Sequence, residues 1–144
     1  MSAAAPNTTL VRRFFEEVFN GLNQDTADAI IDRDFMAHHP AFPGGIKGPA
    51  GILQMMRMFR GAFPDLTYTV DDLVAEGDKV AARWTATGTH RGDFMGVPAK
   101  DPPATVKVVG IDLFRIDNGR LAEAWASSDM LGLMRQIGAV PPPV

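Results

Sequence analysis

Apolar residues recur at spacings of three and four near the start of the chain, where Leu10, Val11, Phe14, Phe15, Val18, Phe19 and Leu22 make one stripe. That period predicts an amphipathic helix over residues 9–21, opened by Thr8 or Thr9 and closed by Gly21. A shorter helix is expected from about Thr26 to Asp32, with Asp25 as candidate cap and Ala27, Ile30 and Ile31 inward. A brief strand over Phe35–His38 then runs into a loop marked by Pro40, Pro43, Gly44 and Gly45. Pro49 suits the first turn of a third helix, whose inner face carries Ile52, Met55, Met56, Phe59 and Phe63 and which closes before Pro64.

Beyond Pro64 the period changes to two. Leu66–Ala75 and Val80–Thr89 read as strands joined at "EGDK", and "HRGDFMGVPAKDPP" reads as a long loop. Val106–Ile116 and Arg120–Ser127 form a hairpin about Asn118-Gly119, a dipeptide suited to a two-residue turn. A last helical turn or two follows Asp129 and ends near Gly138. Helices first and a meander afterwards imply an α+β fold, with helices packed against one face of a curved sheet. A sheet of that kind leaves a blind cavity, a common place for a small ligand.

The hairpin raises the chemical question. Asp112 lies among Val108, Val109, Ile111, Leu113, Phe114 and Ile116, where an ionised carboxylate is costly. A regular two-residue turn would set Phe114 opposite Glu123 and Asp112 opposite Trp125. Asp112, Phe114, Glu123, Trp125 and Ser127 would then share one face unless a bulge intervenes. Two roles are open to Asp112. It can be a structural carboxylate bonded to the Trp125 N–H, a backbone amide or an arginine such as Arg83. Alternatively it lines a low-dielectric cavity, where desolvation raises its pKa into the range useful for proton transfer.

Other candidates are weaker. His38 and His39 are neighbours on a strand, so only one can face inward. Asp129 can assist an acid or simply cap the helix after it. His90 and Phe94 lie on a glycine-bracketed loop able to cover a cavity, or serving only as a connection. Met56 and the other methionines suit adaptable core or cavity lining. No nucleophile elbow, phosphate loop or dinucleotide fingerprint occurs, and His38, His39 and His90 lack metal-ligand spacing.

Bulk properties narrow the class. A chain of 144 residues fits a single domain over 1–144, with an ordered core of about 9–138, a flexible leader over 1–7 and a proline-rich tail over 139–144. With 46% apolar and 22% charged residues it reads as globular, and a net charge of −3 with no basic run argues against nucleic-acid binding. No apolar run approaches membrane-spanning length, and the N-terminus lacks the features of a signal peptide. No cysteine is present, so disulfides and thiolate chemistry are excluded. The expectation is a cytoplasmic protein.

Several linked features — Phe63-Pro64-Asp65, Gly77-Asp78, Gly88-Thr89-His90, Phe94-Met95-Gly96, and Glu123 and Trp125 with Asp129 — resemble the SnoaL-like polyketide cyclase family and its predicted ester-cyclase relatives, from about Leu10 to Gly138. The resemblance implies the nuclear-transport-factor-like cone shared with ketosteroid isomerase and scytalone dehydratase, a cone-shaped, curved antiparallel or mixed sheet wrapped around three N-terminal helices, with frequent homodimers through the sheet and no cofactor. It also implies ring closure by an intramolecular aldol reaction, with a carboxylic acid moving the proton and the substrate's own conjugation stabilising its enol. The family's acid falls at Ala126 here, which cannot transfer a proton, and its pocket histidine falls at Asp112. His38 matches a histidine of the ester-cyclase relatives. The expected site is thus Asp112 as acid/base assisted by His38 and Asp129, with Trp125, Trp84, Glu123, Phe94, His90, Met56 and Phe59 around an apolar, carbonyl-bearing substrate. No metal is expected. The alternative is a non-catalytic hydrophobic-ligand carrier or dimeric interaction module on the same fold.

Overall fold

The computed structural model describes residues 4–143. Helix α1 (Ala4–Arg13) passes directly into a π-helical turn over Phe14–Phe19. The helix therefore starts before the expected residue 9, within the segment taken for a leader; residues 1–3 lie outside the described residues. Thr8 and Thr9 do not cap it, because both hydroxyls bond back to the carbonyl of Ala5. The wider π turn puts Phe14, Phe15, Val18 and Phe19 all in the core. Arg60 then donates to the carbonyls of Phe19 and Asn20 at 3.0 and 2.7 Å, satisfying acceptors left over where that turn ends.

Helix α2 (Gln24–Ile30) is capped by Asn23, whose side chain accepts from Thr26 N–H, not by Asp25. Strand β1 (Ile31–His39) follows and turns into β2 (Phe42–Lys47). The Pro43-Gly44-Gly45 stretch is thus an edge strand where a loop was expected. Proline is tolerated at an edge because no ladder bond is lost there, and the two glycines supply positive φ at 89° and 83°. Helix α3 (Gly48–Ala62) has Pro49 in its first turn and buries Ile52, Leu53 and Met56.

Strands β3 (Thr67–Glu76), β4 (Lys79–Thr89), β5 (Thr105–Asp117) and β6 (Arg120–Ser128) form the meander, and α4 (Met130–Gln136) closes the chain. The sheet order is β2-β1-β6-β5-β4-β3, antiparallel except for the parallel β1–β6 pair. An α+β fold with helices against one face of a curved, unclosed, mixed sheet is the expected architecture. Two of the resemblance motifs meet physically: the Asp65 carboxylate accepts both the backbone N–H and the hydroxyl of Thr89 at 2.7 Å. That clasp fixes the end of α3 to the end of β4.

The β5–β6 hairpin has Asn118 and Gly119 at φ 51° and 72°, as a type I′ turn needs. Two rungs on, the register slips between Arg115 and Ile116: Ile116 faces Leu121, but Arg115 faces Glu123. The extra residue on β6 reverses the side-chain parity of the rest of that strand. Leu113 now pairs with Trp125, Phe114 with Ala124, and Asp112 with Ala126.

Candidate active site

Between the sheet, the π-helical turn, α3 and α4 lies a cavity of about 930 Å³ of non-atom space, mouth included, of which about 100 Å³ admits the centre of a water molecule. A single water needs roughly 10–15 Å³ on the latter measure, so the hollow is not a packing defect. Its wall is mostly phenylalanine, aliphatic side chain and methionine. Among the described residues, His39, Tyr68, Trp84, Asp112 and Ser128 are the polar ones in its lining. Small residues make the space: Ala124 and Ala126 on β6 face the hollow where larger side chains would fill it.

Asp112 projects into this cavity because the even positions of β5, from Val106 through Val108 and Phe114 to Ile116, are the buried ones. It is 5% exposed, and its Oδ1 has no hydrogen-bond partner. Among the described residues no ion pair holds it, since Arg83 points to the other face and meets Asp71 and Asp72. Burial pushes the carboxyl up from its ordinary range to about 7. The Trp84 indole N–H and the Ser127 backbone N–H partly oppose that shift by favouring the anion, although Trp84 Nε1 stands outside hydrogen-bonding geometry with any partner. Asp112 is thus a carboxylic acid able to exist in either form near neutrality, in an apolar wall.

Trp84 owes its place to a glycine. It pairs across the sheet with Gly110, and a Cβ on Gly110 would stand 2.6 Å from Trp84 Cε2 and 2.8 Å from the Ser127 carbonyl oxygen. The backbone cannot give way without breaking the ladder, so Gly110→Ala must displace the indole from beside Asp112. The expected result is a loss of about 1–3 kcal/mol in urea-denaturation stability. The Asp112 pKa should rise further, because a donor favouring its anion is withdrawn.

Tyr68, on β3, was not anticipated. Asn20 fixes its backbone through both ends of the side-chain amide, accepting from Tyr68 N–H at 2.7 Å and donating to Tyr68 O at 2.9 Å. Its ring packs at a tilt against Phe19 and Trp84, with centroids 4.9 and 5.0 Å away. Burial, and then the negative charge of Asp112, push the phenol pKa up, so it remains a neutral hydroxyl. The alternation of Leu66, Tyr68 and Val70 was the available signal.

Ser128 was not anticipated either, and of the two histidines weighed it is His39, not the preferred His38, that lines the hollow. Strand parity sends Phe35, Ala37 and His39 to the cavity, while His38 faces outward. There His38 Nε2 meets Glu123 Oε2 at 2.8 Å, Arg115 holds the other carboxylate oxygen at 3.3 Å, and the imidazole stacks on Trp125. The His38 and Arg115 contacts hold the Glu123 carboxyl below its ordinary range. His38, Glu123 and Trp125 therefore make an outer-face cluster, and the bulge is the reason the last two are not in the cavity. The remaining expectations divide. Phe59 and Phe94 line the hollow, 6.0 Å apart between ring centroids. A tight Phe94–Val97 turn, with Met95 and Gly96 at positive φ, drives Phe94 inward.

Met56 is fully buried in the core of α3 and does not reach the cavity; Met55 does. His90 is likewise fully buried, 5.3 Å from Phe63, behind the wall, with neither ring nitrogen bonded. Asp129 is spent on capping α4, accepting from Gly132 N–H at 2.8 Å, and is not in the lining. Among the described residues no group of His, Asp and Glu is arranged to hold a metal ion, and no helix is long and apolar enough to cross a membrane.

A nuclear-transport-factor-like cone with a lone acid in an apolar hollow is the class this fold and site define. The sequence over residues 9–137 matches the model for "SnoaL-like polyketide cyclase", and the chain belongs to that family. Among solved structures it is similar to TsrD from Streptomyces laurentii, with 32% identity and a TM-score of 0.83 over 97% of this chain and all of that one. It is also similar to a SnoaL-like protein from Jannaschia sp. CCS1, at 26% identity and a TM-score of 0.82 over 98% of each. An LEH-like epoxide hydrolase of M. tuberculosis, at 17% identity and a TM-score of 0.71 over 94% of this chain and 92% of that one, shares the fold. Comparison with curated proteins gives no significant match.

Proposed function

We propose that the protein is a cofactor-independent enzyme that moves a proton at carbon beside a carbonyl group of an apolar small molecule, in ring closure or isomerisation. The observation that carries this reading is the position of Asp112, cross-strand from Ala126 and facing the hollow. The family resemblance puts the acid at Ala126; here a carboxyl enters the same space from the adjacent strand. In the reaction the carboxylate takes the α-proton, the C–H electron pair becomes the new C=C bond, and the carbonyl π pair moves to oxygen. The protonated Asp112 then returns the proton to carbon; in ring closure the enolate carbon instead attacks a second carbonyl of the same molecule, whose π pair moves to its oxygen, and that oxygen takes the proton back from Asp112. A group with a pKa near the working pH suits both halves of that cycle. The reading also expects a homodimer through the sheet, supported by Val109, Ile111 and Trp125, which are exposed on the outer face.

The test uses 2-acetylnaphthalene in deuterated buffer, with exchange of its methyl protons followed by NMR. Exchange faster than the buffer rate, rising through an apparent pKa near 7, is expected. Saturable binding with exchange at the buffer rate would instead favour a ligand carrier.

A further inference from the structure

The cavity has a second polar pole, and its hydrogen bonds have a defined direction. Ala41 donates its backbone N–H to His39 Nδ1 at 2.9 Å, so that nitrogen is bare. The neutral imidazole then carries its hydrogen on Nε2, which lies 3.0 Å from Ser128 Oγ, so Nε2–H donates to the serine oxygen. The serine's own hydrogen is left over. Among the described residues no acceptor takes it, and Ser128 lines the hollow. Protonating His39 would set a second N–H against the N–H of Ala41, and burial also pulls its pKa down. His39 is therefore locked as a neutral donor, and the chain Nε2–H to O–H ends as a polarised hydroxyl in apolar surroundings.

We propose that Ser128 forms a carbonyl-oxygen subsite, held in orientation by His39, that binds the reacting carbonyl of the substrate and stabilises its enolate while Asp112 acts on the neighbouring carbon. The proposal rests on the proton-transfer reading given above and adds the part that reading leaves to the substrate. The sheet supplies the spacing. Asp112 pairs with Ala126 and Gly110 with Ser128, so Asp112 and Ser128 are diagonal neighbours on one face, their backbone positions about 7–8 Å apart. A near-attack oxygen-to-carbon approach of about 3 Å, a carbon-to-carbonyl-oxygen distance of roughly 2.4 Å and a hydroxyl contact of about 2.8 Å fit such a span. The charge also matches. An enolate forms at the oxygen as Asp112 is neutralised, and a hydroxyl donor that carries no charge stabilises it without a counter-ion in the cavity. A pole of this kind widens the substrate class to simple aryl and alkyl ketones that lack extended conjugation of their own. Ser128 is then a catalytic residue; His39, acting through it, is a positioning residue.

The probe is 2-acetylnaphthalene carrying ¹³C at the carbonyl, bound to the full chain and read by infrared difference spectroscopy. In the wild type the carbonyl stretch should fall relative to the ketone in an apolar solvent. Ser128→Ala should abolish the fall, His39→Phe should weaken it, and Ser128→Thr should restore it. Methyl exchange should drop on the order of 10²-fold in Ser128→Ala, the usual cost of one enolate donor. Asp112→Asn should lose exchange yet keep the infrared shift. A ketone that fails to bind, or whose shift is unchanged by Ser128→Ala, overturns the subsite. A serine-dependent shift with no exchange even in the wild type would support the subsite and defeat the proton-transfer reading instead.

Discussion

Asp112→Asn should lower the proton-exchange rate by 10²- to 10⁴-fold, the range that positioned general acid–base catalysis supplies. The substitution keeps shape and polarity, so the hollow survives while the titrating oxygen is lost. Adding Ala126→Asp to that variant should recover part of the rate. Positions 112 and 126 are direct cross-strand partners, and both point into the cavity. A carboxyl at 126 therefore enters the same space about 5 Å away. Recovery by a relocated acid distinguishes proton transfer from a structural role for Asp112, since a merely structural partner would not be replaced from another strand. Exchange rates measured for the wild type and the single and double variants decide it. An unchanged rate in Asp112→Asn excludes the carboxyl from the chemistry.

The second large effect is on stability and runs opposite to the common behaviour of acids in proteins. Most carboxylates are held below their ordinary pKa and lose stabilisation as the pH falls. Asp112 is held above it, at about 7 against 3.8. Between those values the native state keeps a proton that the unfolded chain releases, so stability must fall as pH rises through the window. The contribution is fully present below about pH 4 and gone above about pH 7. At roughly 1.4 kcal/mol per pKa unit the ionised form costs on the order of 4 kcal/mol. Asn at 112 cannot ionise and escapes this cost. Asp112→Asn should therefore gain several kcal/mol over the wild type at pH 8, a difference that shrinks toward pH 4. Urea midpoints of both proteins at the two pH values measure it. The same substitution then raises stability and destroys activity, the trade expected where a site stores strain for function.

How much of this was legible in the sequence follows from where parity is interrupted. The inward direction of Asp112 could be read from β5 alone, because Val106, Val108, Phe114 and Ile116 share its parity and no bulge breaks that strand. The hairpin turn at Asn118-Gly119 was equally plain. The bulge on β6 was not. One extra residue near Ala122 turned Trp125 and Glu123 outward and brought Ala124 and Ala126 in, and no residue there announces it. A wall of alanines looks like tight packing in a sequence, whereas here it is what makes room for the hollow. The histidine pair was legible and misread: Phe35 and Ala37 set the inward parity of β1, and counting in twos from Phe35 reaches His39. The motif at Phe63-Pro64-Asp65 became intelligible only when Asp65 was seen to hold Thr89, 24 residues away. Such long-range hydrogen bonds have no local signature. The Pro43-Gly44-Gly45 strand failed for a related reason: local turn chemistry predicts a loop, and pairing with β1 overrode it.

The locked tautomer of His39 lies further still from anything a sequence displays. It depends on the backbone N–H of Ala41 arriving at one ring nitrogen and the Ser128 hydroxyl at the other. Only the fold brings those three groups together. The lone acid, by contrast, stood out in the sequence because its chemistry disagreed with its neighbours.

The most direct measurement is the ¹³C chemical shift of the Asp112 side-chain carboxyl followed against pH in the folded protein, with Asp112→Asn to assign the signal. A midpoint near 7 is the expected result, because burial in an apolar wall with no cationic partner leaves the neutral form favoured. A midpoint at or below 4 would mean that the carboxylate is solvated or paired, and the case for an acid poised in an apolar hollow would be contradicted.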